Sequence, residues 1–241
     1  MTEQEIQTLL KNNGLDELFT SKSITSISGL GSKTTPKNAQ PIVEALFANK
    51  NHFINLIENG FSAANISSIL HGSGAKSGEA ITALGQQTFA LLDLIGNGFS
   101  SANISSILHG SGAKAGEAIA ALAANDQQLI ALTKPIDQEG VGFSAANISS
   151  ILHGSGAKSG EAITALGQQT FALLDLIGNG FSAANISCIL HGSGANVGVG
   201  IQDLLQQNNV QPPSQSEVPS TSTSGATSSN VVQNKRLRQG H

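Results

Sequence analysis

Residues 61–98 and 143–180 are the same 38 letters, FSAANISSILHGSGAKSGEAITALGQQTFALLDLIGNG, without a substitution. A chain built on such a duplication folds as an array, because a unit of this size buries its apolar face only against its neighbours. Looser copies flank the identical pair. Phe99 opens FSSANISSILHGSGAKAGEAIAAL, Phe181 opens FSAANISCILHGSGANVGVGI, and Phe19 opens a degenerate FTSKSITSISGLGSK. These openings lie 42, 38, 44 and 38 residues apart, dividing the array into 19–60, 61–98, 99–142, 143–180 and a truncated 181–207.

Within residues 61–98, Ser62 is placed as an N-cap, and Ile66, Ile69 and Leu70 follow at helical spacing. A short helix of two turns is expected to end at His71-Gly72-Ser73-Gly74, where the glycines allow a tight reversal. A second helix beginning near Ala75 has Ile81, Leu84, Phe89, Leu92 and Ile95 as its apolar positions, and Asn97 or Gly98 ends it. Gly85-Gln86-Gln87 interrupts it, as Asn125-Asp126 and Asn49-Lys50-Asn51 do in other units, which predicts a bent or broken long arm. The phenylalanines at the unit junctions are placed to staple consecutive hairpins together. No strand-type alternation occurs. The expected fold is all-α: a right- or left-handed α-solenoid of about 4.5 repeats of 38–44 residues. Residues 1–18 form its N-terminal helical cap, and 208–241 form a disordered Ser/Thr/Pro-rich tail.

The composition agrees. Trp and Tyr are absent, aromatics are 4%, and the 39% of apolar residues suit many thin interfaces better than one large core. No stretch approaches the roughly 18 apolar residues of a membrane span, and the amphipathic start has no signal-peptide character, so a soluble protein is expected. The single Cys188, where sister units carry Ser68, Ser106 and Ser150, has no internal partner and suggests a reducing compartment. The net charge of −4 divides unevenly: residues 1–208 carry −6 and the remainder +2. An acidic body does not match the basic footprint of an indiscriminate nucleic-acid binder.

The series Phe-Ser-x-x-x-Ile-x-x-Ile, a Gly-containing loop with Gly-x-Lys, and a longer second helix resembles the repeat of the transcription-activator-like (TAL) effectors, in its divergent bacterial form. The resemblance covers residues 19–207 and is strongest in the first helix and loop. It implies a superhelix around duplex DNA, with each loop in the major groove and two adjacent loop residues choosing a base. By position, the phosphate-contacting residues would be Gly74 with Lys76, Gly112 with Lys114, and Gly156 with Lys158; the last unit has Gly194 but Asn196. The base-reading pair has two registers. Counting from Phe61 selects Gly72-Ser73, with Gly110-Ser111, Gly154-Ser155 and Gly192-Ser193 as equivalents; the local His-Gly pattern selects His71-Gly72, His109-Gly110, His153-Gly154 and His191-Gly192. The second is preferred, its glycine leaving room for a thymine methyl. The resemblance further implies a bacterial effector acting in a host nucleus, with Lys235, Arg236 and Arg238 as the import signal. The units are longer than that family's, and every complete loop has the same letters, so one kind of base would be read.

Simpler readings stand beside these. Each loop lysine precedes a glutamate at i+3 (Lys76–Glu79, Lys114–Glu117, Lys158–Glu161), which would make a surface ion pair. The histidines, at the ends of helices, would hold the loop by bonding a carbonyl one turn back. Their expected spacing of roughly 10 Å, that of packed helices, is too great for a shared metal. No metal, cofactor or catalytic constellation is expected, and the chain is read as a monomer without enzyme activity. Two partner classes follow: double-stranded DNA, and a protein held by the same array acting as a scaffold.

Overall fold

The computed structural model describes residues 1–29, 39–134, 142–191, 193 and 196–209, the side chains of 208 and 209 excepted. The Ser/Thr/Pro-rich tail, with Lys235, Arg236 and Arg238, lies outside them, as do Gly192 and Gly194. Among the described residues every regular element is a helix. Helix α1 (Glu3–Asn12) precedes a unit of α2 (Ser21–Ser28), α3 (Ala39–Ala48) and α4 (Lys50–Glu58). The second unit has α5 (Ala63–Ile69), α6 (Ser77–Gln86) and α7 (Thr88–Gly96); the third has α8 (Ser101–Leu108), α9 (Ala115–Ala124) and α10 (Asp126–Thr133). The fourth has α11 (Ala145–Leu152), α12 (Ser159–Gln168) and α13 (Thr170–Gly178), and the last has α14 (Ala183–His191) and α15 (Val197–Asn209).

Each unit begins with a capped short helix. The hydroxyls of Ser62, Ser100 and Ser144 accept from the backbone N–H three residues on, and the Asn65, Asn103 and Asn147 side chains accept in return from the cap N–H. Each such reciprocal cap contributes about 1 kcal/mol. The long arm is two helices, as the interruption predicts. Glutamine 87 ends α6 and begins α7 with φ −95° and ψ 12°. The glycine of Gly85-Gln86-Gln87 is not the cause of the break, because the third unit breaks at Asn125 after an alanine run.

The reason for that glycine lies one unit away. A Cβ on Gly85 would run into the Asn49 side chain, and one on Gly167 into Asn125. Both asparagines hold their own helix end by donating to a carbonyl one turn back, Ala45 and Ala121. The break in one unit therefore fits a notch in the next.

Units meet at a repeated junction. Gly60 (φ 97°), Gly98 (φ 96°) and Gly180 (φ 96°) turn the chain out of the long arm, and the next residue's N–H bonds back to a carbonyl five residues earlier. Those bonds are Phe61 to Leu56, Phe99 to Leu94 and Phe181 to Leu176, each 3.0 Å. This left-handed exit requires glycine and delivers the phenylalanine ring to the interior. In the longer third unit Phe143 still bonds Leu132, the counterpart of Leu94, at 3.0 Å, so the junction is kept.

Stacking is by equivalence. Short helices pack in the order α2, α5, α8, α11, α14; first halves of the long arms in the order α3, α6, α9, α12, α15; second halves in the order α4, α7, α10, α13. Helix α1 closes the start against α2 and α3, burying Ile6 and Leu10 completely. One continuous core runs through the stack, made chiefly of isoleucine, leucine and the junction phenylalanines.

One expectation is corrected. Phe89 is not on the buried face of the long arm; it is 77% exposed, and Phe171 84%. The break at Gln87 rotates the second half, so Thr88, Leu91 and Leu94 take the inside positions. The Thr88 hydroxyl is satisfied there by the Gly85 carbonyl at 2.8 Å.

Two outcomes follow, both readable in thermal or urea unfolding. Phe99→Ala costs about 3–5 kcal/mol, the range for emptying a buried aromatic site, while Phe89→Ala stays within about 0.5 kcal/mol. Gly85→Ala destabilises although alanine is the better helix former, and a second change, Asn49→Ala, recovers part of that loss; strictly additive effects would remove the notch as the explanation.

Candidate nucleic-acid interface

The loops after the short helices form a single row. In each complete loop two glycines adopt positive φ: Gly72 74° and Gly74 56°, Gly110 82° and Gly112 56°, Gly154 82° and Gly156 56°. Short 3-10 turns follow at Gly74–Lys76, Gly112–Lys114 and Gly156–Lys158. The loops also touch through bare backbone. A Cβ on Gly72 would lie 3.6 Å from the Gly112 Cα, one on Gly110 3.7 Å from the Gly156 Cα, and one on Gly29 3.0 Å from the Gly72 Cα. The Gly72 N–H donates to the Ser26 carbonyl of the preceding unit at 3.2 Å. Glycine at this position therefore answers the backbone angle and the neighbouring loop together.

The serine of His-Gly-Ser turns inward. Ser73, Ser111 and Ser155 are buried, and the first two donate to the Leu70 and Leu108 carbonyls at 2.7 Å. These hydroxyls hold the loop to its helix and are not presented outward. Ser193 is half-buried, with its N–H on the Leu190 carbonyl.

The four histidines are exposed, and their rings stack in two pairs. The rings of His71 and His109 stack with centroids 5.7 Å apart and planes 22° apart, and those of His153 and His191 at 6.3 Å and 6°. The spacing is well below the helix-packing distance expected from sequence, because the loops close on one another through glycine. The expected bond to a carbonyl one turn back is likewise corrected: each Nδ1 reaches into the preceding unit. His71 pairs with Ser26, His109 with Ser68 and His153 with Ser106, each at 3.1 Å, and His191 pairs with Ser150 at 3.3 Å. His191 Nδ1 also lies 2.7 Å from the Ser150 carbonyl oxygen, to which it donates. Among the described residues no hydrogen bond to a histidine Nε2 is present, and the rings are exposed. The unusual Cys188 now has a reason: it occupies the serine position of the last unit, which no following histidine needs.

Behind the histidines runs a row of lysines. Lys76 and Lys114 are more than half exposed, and each meets its i+3 glutamate, Glu79 and Glu117, at 2.6 Å. The hydrogen bond and charge of Glu79 hold the Lys76 ammonium above its ordinary range, with Glu117 of the next unit adding to the effect. A raised lysine pKa means the ammonium keeps its charge through neutral pH and gives up its proton only under strongly alkaline conditions. Such exposed pairs contribute little stability and exchange partners readily. Between these two units the surface forms a shallow groove lined by the Lys–Glu pairs and by Ala80, Ala83, Ala113, Gly116 and Ala120. Among the described residues no cluster of three metal-binding side chains exists, and no helix is long and apolar enough to cross a membrane.

No protein-family model, curated protein or solved structure matches this chain.

The Ser–His bond is measurable as a coupling between units. In a double-mutant cycle on Ser68→Ala and His109→Ala the interaction energy is expected at about 1 kcal/mol. Cys188→Ser, by contrast, leaves the unfolding midpoint unchanged.

Proposed function

We propose that the array binds duplex DNA along its loop row, with histidine edges toward the bases and loop lysines toward the phosphates. The observation that carries this reading is the step of the row. Successive rings lie 5.7 and 6.3 Å apart where they stack. A path that climbs roughly 3.4 Å per base and turns once in about 10.5 base pairs takes steps of this length at a radius of about 7–9 Å, inside the phosphate cylinder. One unit per base along one strand of the major groove is therefore metrically possible without reshaping the loops. The exposed imidazole brings a hydrogen-bonding group to each step, and each complete loop is followed by a lysine, of which Lys76 and Lys114 can exchange their glutamates for a phosphate.

The glutamates set the strength of the interaction. Each lysine that turns to DNA leaves a carboxylate near the phosphates, so affinity is modest and steeply salt-dependent. A second reading, a scaffold for a protein partner, is favoured by the same Lys–Glu pairing and by the alanine floor of the groove between Lys76 and Lys114.

Fluorescence anisotropy of labelled duplexes, T/A-rich and G/C-rich, separates the two. On the DNA reading, binding saturates and weakens with salt at a log–log slope of about −3 for three lysine contacts. Replacing Lys76, Lys114 and Lys158 with alanine flattens that slope, and replacing Glu79, Glu117 and Glu161 with glutamine tightens binding. Absence of binding at low salt, or indifference to both sets of changes, rejects the DNA reading and leaves the protein scaffold.

A further inference from the structure

The two ends of the stack are finished differently. At the start, α1 covers the first unit with Ile6 and Leu10 buried beneath it, and turns Gln4, Glu5, Gln7, Thr8 and Lys11 outward. That is the polar end cap a repeat array needs for solubility. At the other end α14 keeps the chemistry of an inner unit. Ile69, Ile107 and Ile151 are fully buried, each under the short helix of the following unit; Ile189, at the same position, is 54% exposed. Asn65, Asn103 and Asn147 are half-buried, whereas Asn185 is exposed, and Cys188 beside it is exposed where Ser68, Ser106 and Ser150 are covered in part.

The last unit also lacks the charges that its sisters carry. Asn196 and Val199 stand where Lys76 and Glu79 stand in the second unit, and Val199 is 57% exposed. The α15 side keeps one charge, Asp203, in place of Ala83, so the neutral apolar part of this end is centred on α14.

We propose that this end face is the contact surface of a homodimer in which the α14 helices of two copies pack together about a two-fold axis. The face is the outer side of the stacking interface that joins every pair of units, so its chemistry already suits burial against a helix. Head-to-tail addition of a second copy is blocked because α1 occupies the opposite end. An end-to-end arrangement is self-complementary: Ile189 of one copy covers the Asn185–Ile189 face of the other, and the reverse. With the lysine–glutamate pair absent, no like charges meet at its centre. With one short helix from each copy at its centre the association is weak and concentration-dependent. The proposal stands apart from the DNA reading, since no loop residue takes part.

Sedimentation velocity of the full chain under reducing conditions, over a series of concentrations, tests it. A monomer–dimer equilibrium is expected, lost in Ile189→Glu and kept in Cys188→Ser. Cys188 supplies a reporter that requires no substitution: a short-span bismaleimide links two wild-type chains through this one thiol, and yields no linked dimer with Ile189→Glu. Circular dichroism checks that the glutamate variant stays helical, and if it does not, the wild-type cross-link decides alone. A chain that stays monomeric up to its solubility limit, a dimer indifferent to Ile189→Glu, or a dimer whose Cys188 thiols are not linked overturns the proposal.

Discussion

The structure depends on how closely one loop lies against the next. Because Gly72 and Gly110 present no Cβ, the backbones of adjacent loops come into contact, and the short helices behind them stack with their isoleucines covered. That approach brings a histidine within reach of a serine 41–47 residues earlier in the chain and lays its ring on its neighbour's. A side chain at the glycine would separate the loops and thereby dismantle the hydrogen bond and the ring stack. Hydrophobic burial supplies most of the cohesion, but the glycines set its pitch.

The pitch is also what the proposed DNA reading rests on. Loops held apart by bulky residues would repeat at the packing distance of whole helices. Loops held together by glycine repeat at less, which brings the row into the range of a nucleic-acid strand. The electrostatics pull the other way, since Lys76 and Lys114 are matched by glutamates in an acidic body. Shape and charge thus weigh on the proposed DNA reading in opposite directions.

Much of this was legible in the letters, and the exceptions are instructive. The duplication identified the unit, Ser62 and Gly98 marked its ends, and Gly85-Gln86-Gln87 marked the broken arm, because each is a local rule acting within a few residues. What could not be read depends on contacts between units. Gly85 looks like a helix weakener until Asn49 of the preceding unit is set against it. Phe89 fits the helical period of an unbroken arm, and only the change of phase at Gln87 turns it to the surface. The serine partners of the histidines lie a whole unit away, and the one sequence signal of their role was the odd Cys188 in a column of serines. Ser73 and Ser111 shared a motif with the exposed histidines, but their hydroxyls close the helix end.

The histidine–serine ladder has a consequence for array length. Each inner unit carries a histidine that looks backward and a serine that looks forward, so it is a link with two matching ends. Whole links can be inserted or removed without stranding either group, and every intermediate length has a complete ladder. The unit with Cys188 has the backward end alone, which makes it a terminus by chemistry as well as by position.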